Sequence, residues 1–199
     1  MFGKKFKGGL GGEPEWIVAG LGNPGAQYKS TRHNAGFMVI DTIAKKENVK
    51  MNNLTCDAIC GNCELGGVNC LLVKPQTFMN NSGIAIKKLA KKYNIKPENI
   101  LVISDDVSFD VGKIRIRRSG SSGGQKGLGS IITQLATEEF PRIKIGVGKK
   151  PVDVDMVDWV LGNFDYNDRD KLNATLDKAA LAVTTVVSDG IEAAMQKVN

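Results

Sequence analysis

No apolar run in the sequence approaches the ~18–20 residues that a membrane-spanning helix needs, so the chain is not expected to enter a membrane. Its first residues hold no apolar stretch of the kind that marks a secretory leader, and a cytoplasmic location is expected. Without an oxidising compartment, a disulfide framework has no footing either. No internal repeat or low-complexity block is present, which excludes a repeat array. Histidine is nearly absent: one occurs in 199 residues.

What is present describes an ordinary globular chain. Apolar residues make up 42% and charged residues 24%, which argues against disorder and against a coiled coil. The length suits one domain. Lys and Arg exceed Asp and Glu by 27 to 21, a net charge of +6. Residues 1–14 (MFGKKFKGGLGGEP) carry +2 of this, and their five glycines mark a flexible extension ahead of a domain over 15–199. The remaining +4 is compatible with an anionic partner but identifies none.

Four cysteines stand at 56, 60, 63 and 70. The spacing of the first three matches the cage of an iron–sulfur cluster in radical enzymes, and four thiolates could also hold zinc. Against both, the surrounding residues alternate as strands do, and no histidine lies nearby. Residues 55–72 read better as a hairpin turning at Glu64–Gly67, with cysteine serving as a small apolar residue.

Residues 15–21 (EWIVAGL) and 100–104 (ILVIS) are short apolar runs bounded by turn signals, as buried strands are. Residues 113–118 (KIRIRR) and 142–147 (RIKIGV) alternate, the first with one cationic face. Helical spacing runs from His33 to about Val49 and from Asn80 to Tyr93, where Pro97 closes the helix. Lys87, Lys88, Lys91 and Lys92 form the wet side of that second helix. A glycine-rich loop, SGSSGGQKG, leads to a helix over 128–135, and the tail from Asn167 makes one or two amphipathic helices. Strands alternating with helices predict a single α/β domain with a mixed, mainly parallel twisted sheet flanked by helices.

Gly20-Leu21-Gly22-Asn23-Pro24-Gly25 fits the literal dinucleotide pattern G-x-G-x-x-G after a strand. However, the helix does not begin at the third glycine, Asp41 falls within a helix instead of at a strand end, and Pro24 lacks an amide hydrogen. The segment reads better as a loop at the carboxyl end of the first strand, where open α/β sheets place their active sites. His33 follows this loop and Asp105 ends another strand, so the two can share a cleft. A carboxylate beside imidazole fixes its tautomer and leaves the other nitrogen to take a proton from water. Asn23 and Asn80 each offer an amide that orients an amide substrate or holds an oxyanion; each is also a residue type that caps turns and helices.

Residues 20–37 (GLGNPGAQYKSTRHNAGF), 74–83 (KPQTFMNNSG), 101–117 (LVISDDVSFDVGKIRIR) and 123–132 (GGQKGLGSII) resemble the bacterial peptidyl-tRNA hydrolase family, in order from Val18 to about Asn163. The resemblance implies an enzyme that hydrolyses the ester between a peptide and the terminal ribose of tRNA. It implies peptidyl-tRNA as the partner, no metal or cofactor, and a cytoplasmic monomer. By the same resemblance His33 would activate water, Asp105 would stabilise the imidazolium form of His33, and Asn23 would recognise the blocked amino group. Asn80 would bind near the scissile ester. Tyr28 and Phe78 would line the terminal adenosine site, where aromatic faces stack on bases; taken without the resemblance, both read as well as packing residues.

One block departs from the family, which reads G-G-H-N-G-L where this chain has Gly123-Gly124-Gln125-Lys126-Gly127-Leu128. Lys126 can contact a phosphate but lacks the acceptor of an amide, and is retained as a substrate contact. The departure keeps open an alternative, a related fold that binds RNA without hydrolysing it. The cationic face of Lys113, Arg115 and Arg117, with Arg118 and Lys126 nearby, is where tRNA phosphates are expected to lie.

Overall fold

The structure is a computed structural model that describes residues 12–199; residues 1–11, most of the expected extension, lie outside the described residues. Strands β1 (Trp16–Gly20), β2 (Asn53–Thr55), β3 (Ala58–Leu65), β4 (Val68–Pro75), β5 (Ile100–Asp106), β6 (Ile114–Arg117) and β7 (Arg142–Gly146) form one sheet in the spatial order β2-β3-β4-β1-β5-β7-β6. β1 pairs in parallel with β4 and β5, and β5 with β7, while antiparallel pairs close both flanks. The helices are α1 (Ala35–Lys46), α2 (Ser82–Tyr93), α3 (Lys126–Leu135), α4 (Met156–Leu161), α5 (Arg169–Asp189) and α6 (Ile191–Val198). α1 and α5 cover one face, over Val18, Leu72, Leu101 and Ile103. α2 and α3 cover the other, over Ile17, Ala19, Leu71 and Val102. With both faces buried, β1 and β5 have no polar side to present, hence their unbroken apolar runs.

Element ends fall close to the periodicity, with local chemistry deciding the details. A 3-10 turn at Arg32–Asn34 precedes α1, so His33 sits on that turn instead of in the helix body. α2 stops at Asn94, whose left-handed φ of 52° ends the helix before Pro97 is reached. α3 starts at Lys126, earlier than its apolar pattern, because the Leu128 amide donates to Gln125 Oε1 at 2.8 Å. The tail is two helices, broken at Gly190 with φ 91°. On the edge strand β6, the Asn199 amide pairs with both the N–H and the carbonyl of Ile116.

The hairpin reading of the cysteines holds, with its turn at Gly66-Gly67 and Cys63 directly across from Cys70. Cys60 faces the α2–α3 core, whereas Cys63 and Cys70 face the opposite one, as an odd spacing along a strand requires. Thiols on opposite faces cannot converge on one metal or cluster. Burial pushes each of these three thiols up to about 12, so they pack as neutral apolar groups. Two of the glycines that mimic a dinucleotide loop, Gly20 and Gly22, are explained by packing against Gly36 and Phe37 of α1. A Cβ on Gly20 would lie 2.2 Å from the Gly36 carbonyl oxygen, so Gly20 is what lets α1 cross β1 this closely.

Candidate active site

The carboxyl ends of β1, β4 and β5 open onto a cavity of about 410 Å³, lined by Asn23, His33, Phe78, Asn80, Asp105 and Lys126 among others. Six of the seven residues expected at the site therefore meet there. Tyr28 does not line the cavity. It is half-buried at the end of the 3-10 turn Ala26–Tyr28, where its carbonyl accepts from the Thr31 amide and hydroxyl.

His33 Nδ1 lies 2.9 Å from Asp105 Oδ2, and the two side chains are only 12% and 3% exposed. An ionised carboxylate can only accept, so Nδ1 carries the hydrogen, and in the neutral imidazole Nε2 is the nitrogen with the free lone pair. Among the described residues Nε2 has no partner, and it is the nitrogen left for the cavity. Asp105 Oδ1 accepts a second bond, from Gln125 Nε2 at 2.9 Å.

Asn23 caps and faces the cleft at once. Its Oδ1 accepts from the Met79 amide at 2.8 Å, and its backbone exchanges two hydrogen bonds with the Asn34 side chain. With Oδ1 committed, Nδ2 is a donor without a partner among the described residues. Phe78, just before that tethered amide, has φ 60° and ψ 160°. Such a conformation costs a non-glycine residue on the order of 1–3 kcal/mol, and strain of this kind gathers at functional sites. The residue is 51% exposed and lines the cavity. Asn80 caps nothing: neither the turn Met79–Asn81 nor α2 is capped by the side chain of its own N-cap residue, Phe78 or Asn81.

Several residues at the site escape sequence reasoning. Lys144 lies 3.0 Å from Asp106 Oδ2 inside the cavity. Burial alone would raise the Asp106 carboxyl, but hydrogen bonds from Ser108 and Lys144 outweigh it and hold the group below the ordinary carboxylate range. β6 pairs Arg115 with Lys144, which puts both on one face, so the cationic strip reaches the cavity. Arg118 is paired with Glu192. A lysine on the polar side of the alternating run RIKIGV was the available signal. The cavity's apolar wall, Met156, Val157 and Val160, comes from α4, which Asp155 caps by accepting from the Val157 amide at 2.7 Å. Buried Arg32 ties that wall to the His33 turn: its guanidinium stands 3.7 Å over the Trp159 ring and 3.6 Å from Asp165. Arg142, buried in β7, donates to the carbonyls of Gly120, Ser121 and Glu138 and so holds the glycine-rich loop in place.

The family model described as Peptidyl-tRNA hydrolase matches residues 17–199. The peptidyl-tRNA hydrolase of Alkaliphilus oremlandii is 48% identical over 183 residues, covering 92% of this chain and 98% of that protein. That of Lachnospira eligens is 46% identical over 184 residues, covering 92% and 99%. Among solved structures, peptidyl-tRNA hydrolase from Acinetobacter baumannii aligns with a TM-score of 0.87 at 32% identity, over 96% of this chain and 97% of that one.

Proposed function

Because the chain belongs to the peptidyl-tRNA hydrolase family and hydrolyses the ester joining peptide to tRNA, we propose that His33 is the base of that reaction and Asp105 its orienting partner. The observation that carries this reading is the 2.9 Å contact of His33 Nδ1 with Asp105, which in the neutral imidazole puts the hydrogen on Nδ1 and leaves Nε2 to accept a proton. Nε2 takes a proton from water as the water oxygen attacks the ester carbonyl carbon, and the carbonyl oxygen gains the charge. When the tetrahedral intermediate collapses, the ribose oxygen leaves and receives the proton back from the imidazolium, which the Asp105 carboxylate stabilises meanwhile. Water and these side chains balance every step.

Asn23 Nδ2 donates to the carbonyl of the group that blocks the amino end. A free aminoacyl ester has an ammonium there and no such acceptor. Asn80 binds near the ester. Phe78 is the stacking face for the terminal adenosine, and Tyr28 would contribute only from outside the cavity. Lys126, exposed at the start of α3, meets a phosphate, and the strip of Lys113, Arg115, Arg117 and Lys144 carries more of them. A cavity built by one chain supports action as a monomer, and the substrate's origin in translation supports the cytoplasm.

The test is release of the acyl group from N-acetylaminoacyl-tRNA and from unblocked aminoacyl-tRNA. Asn23→Asp keeps the acceptor for the Met79 amide and removes the donor, so kcat/KM on the blocked substrate should fall about 10²-fold and the preference for it should narrow. An unchanged preference would refute the role of Asn23. Wild-type protein that retains tRNA but leaves the ester intact would point instead to a binding protein.

A further inference from the structure

We propose that Gln125 is a positioning residue that acts through Asp105, holding the carboxylate in the orientation that keeps His33 a base; the inference rests on the reading of His33 given above. The orientation of the Gln125 amide is decided by its surroundings. The Leu128 N–H can only donate, so Oε1 faces it at 2.8 Å. Nε2 is thereby turned to Asp105 Oδ1 at 2.9 Å and to Met79 Sδ at 3.2 Å. Helix α3 therefore sets where the donor sits, because the atom that caps the helix shares a rigid amide plane with the atom that reaches Asp105.

Asp105 is 4% exposed, and a buried carboxylate needs both oxygens satisfied. Among the described residues its side chain has two hydrogen-bonding partners, His33 on Oδ2 and Gln125 on Oδ1. Without the second, the carboxylate is free to swing and Nδ1 loses its fixed acceptor. The same amide reaches the substrate-recognition side, since Met79, its sulfur partner, donates its N–H to Asn23. The other charged groups of the cavity are Asp106 with Lys144, paired with each other, and Lys126. Gln125 thus supplies a donor that never titrates, at the position where the resembling family's motif has histidine.

Gln125→Glu separates positioning from mere capping. A glutamate oxygen still accepts from the Leu128 amide, and a negative charge at a helix N-terminus is favourable. Where both carboxylates are ionised, the other oxygen meets Asp105 Oδ1 as acceptor against acceptor. Positioning predicts that kcat on N-acetylaminoacyl-tRNA falls about 10- to 100-fold, as loss of a charge-assisted bond would give. It also predicts an unchanged KM and an acid-side midpoint of the rate profile moved to higher pH. Gln125→His, which returns an uncharged donor, should recover most of that turnover. Wild-type kcat and an unmoved profile in Gln125→Glu would overturn the inference while leaving the role of His33 intact. If Gln125→Glu melts early, Gln125→His decides: turnover close to wild type supports positioning, and a loss as deep as that of Gln125→Glu overturns it. Wild-type protein without ester hydrolysis would overturn the underlying reading, and the inference with it.

Discussion

Replacing His33 with alanine is expected to cut kcat for ester cleavage by about 10²–10⁴-fold, the range that a positioned general base contributes. No neighbour can stand in for it. It is the only histidine in the chain. Asp106, the other carboxylate lining the cavity, accepts from Ser108 and Lys144 and is held below the ordinary carboxylate range, which makes it a poor proton acceptor. The fold should survive, because the turn around His33 is held by backbone bonds from Arg32 to Gly162 and from Asn34 to Thr31 that do not involve the imidazole. tRNA binding should persist as well, since the cationic strip lies on β6 and β7. Near wild-type turnover in a folded His33→Ala protein would remove the mechanism.

Asp105→Asn should be nearly as damaging, and for a sharper reason than lost charge. Gln125 Nε2 donates to Oδ1 of residue 105, so an asparagine there would turn its carbonyl toward Gln125 and its NH₂ toward His33. Nδ1 would then have to accept, and the hydrogen would move to Nε2, the atom that takes the proton from water in the proposed mechanism. Locking the wrong tautomer costs about 10²–10⁴-fold in kcat with the geometry intact. Asp105→Ala removes the orienting group without inverting the tautomer, so it should retain more activity than Asp105→Asn. The opposite order would rule the tautomer argument out.

The frame of the site was legible because strand ends and loops leave strong local marks. The runs are apolar from Trp16 to Leu21 and from Ile100 to Ile103 because helices cover both faces of β1 and β5, and each gives way to a polar residue of the cavity, Asn23 or Asp105. That places Asn23 and Asp105 at neighbouring strand ends, and His33 follows on the first loop. What connects these residues was not legible, since it depends on contacts between distant segments. Asn23 reaches Met79 across 56 positions, and Gln125 reaches Asp105 across 20. The apolar wall from α4 was missed because a six-residue helix leaves little periodicity to detect. Tyr28 shows the converse: a motif position puts a residue near the site in sequence, while a 3-10 turn decides that it does not line the cavity.

The single histidine makes the central claim open to one measurement. The imidazole signals in an NMR pH titration belong to His33 and need no assignment. They can be set beside the pH dependence of kcat/KM, which reports the ionising groups of the free enzyme. If His33 is the base, the titration midpoint of its imidazole and the acid-side midpoint of kcat/KM on N-acetylaminoacyl-tRNA coincide. An imidazole that titrates at a pH clearly separated from the kinetic midpoint would contradict the account.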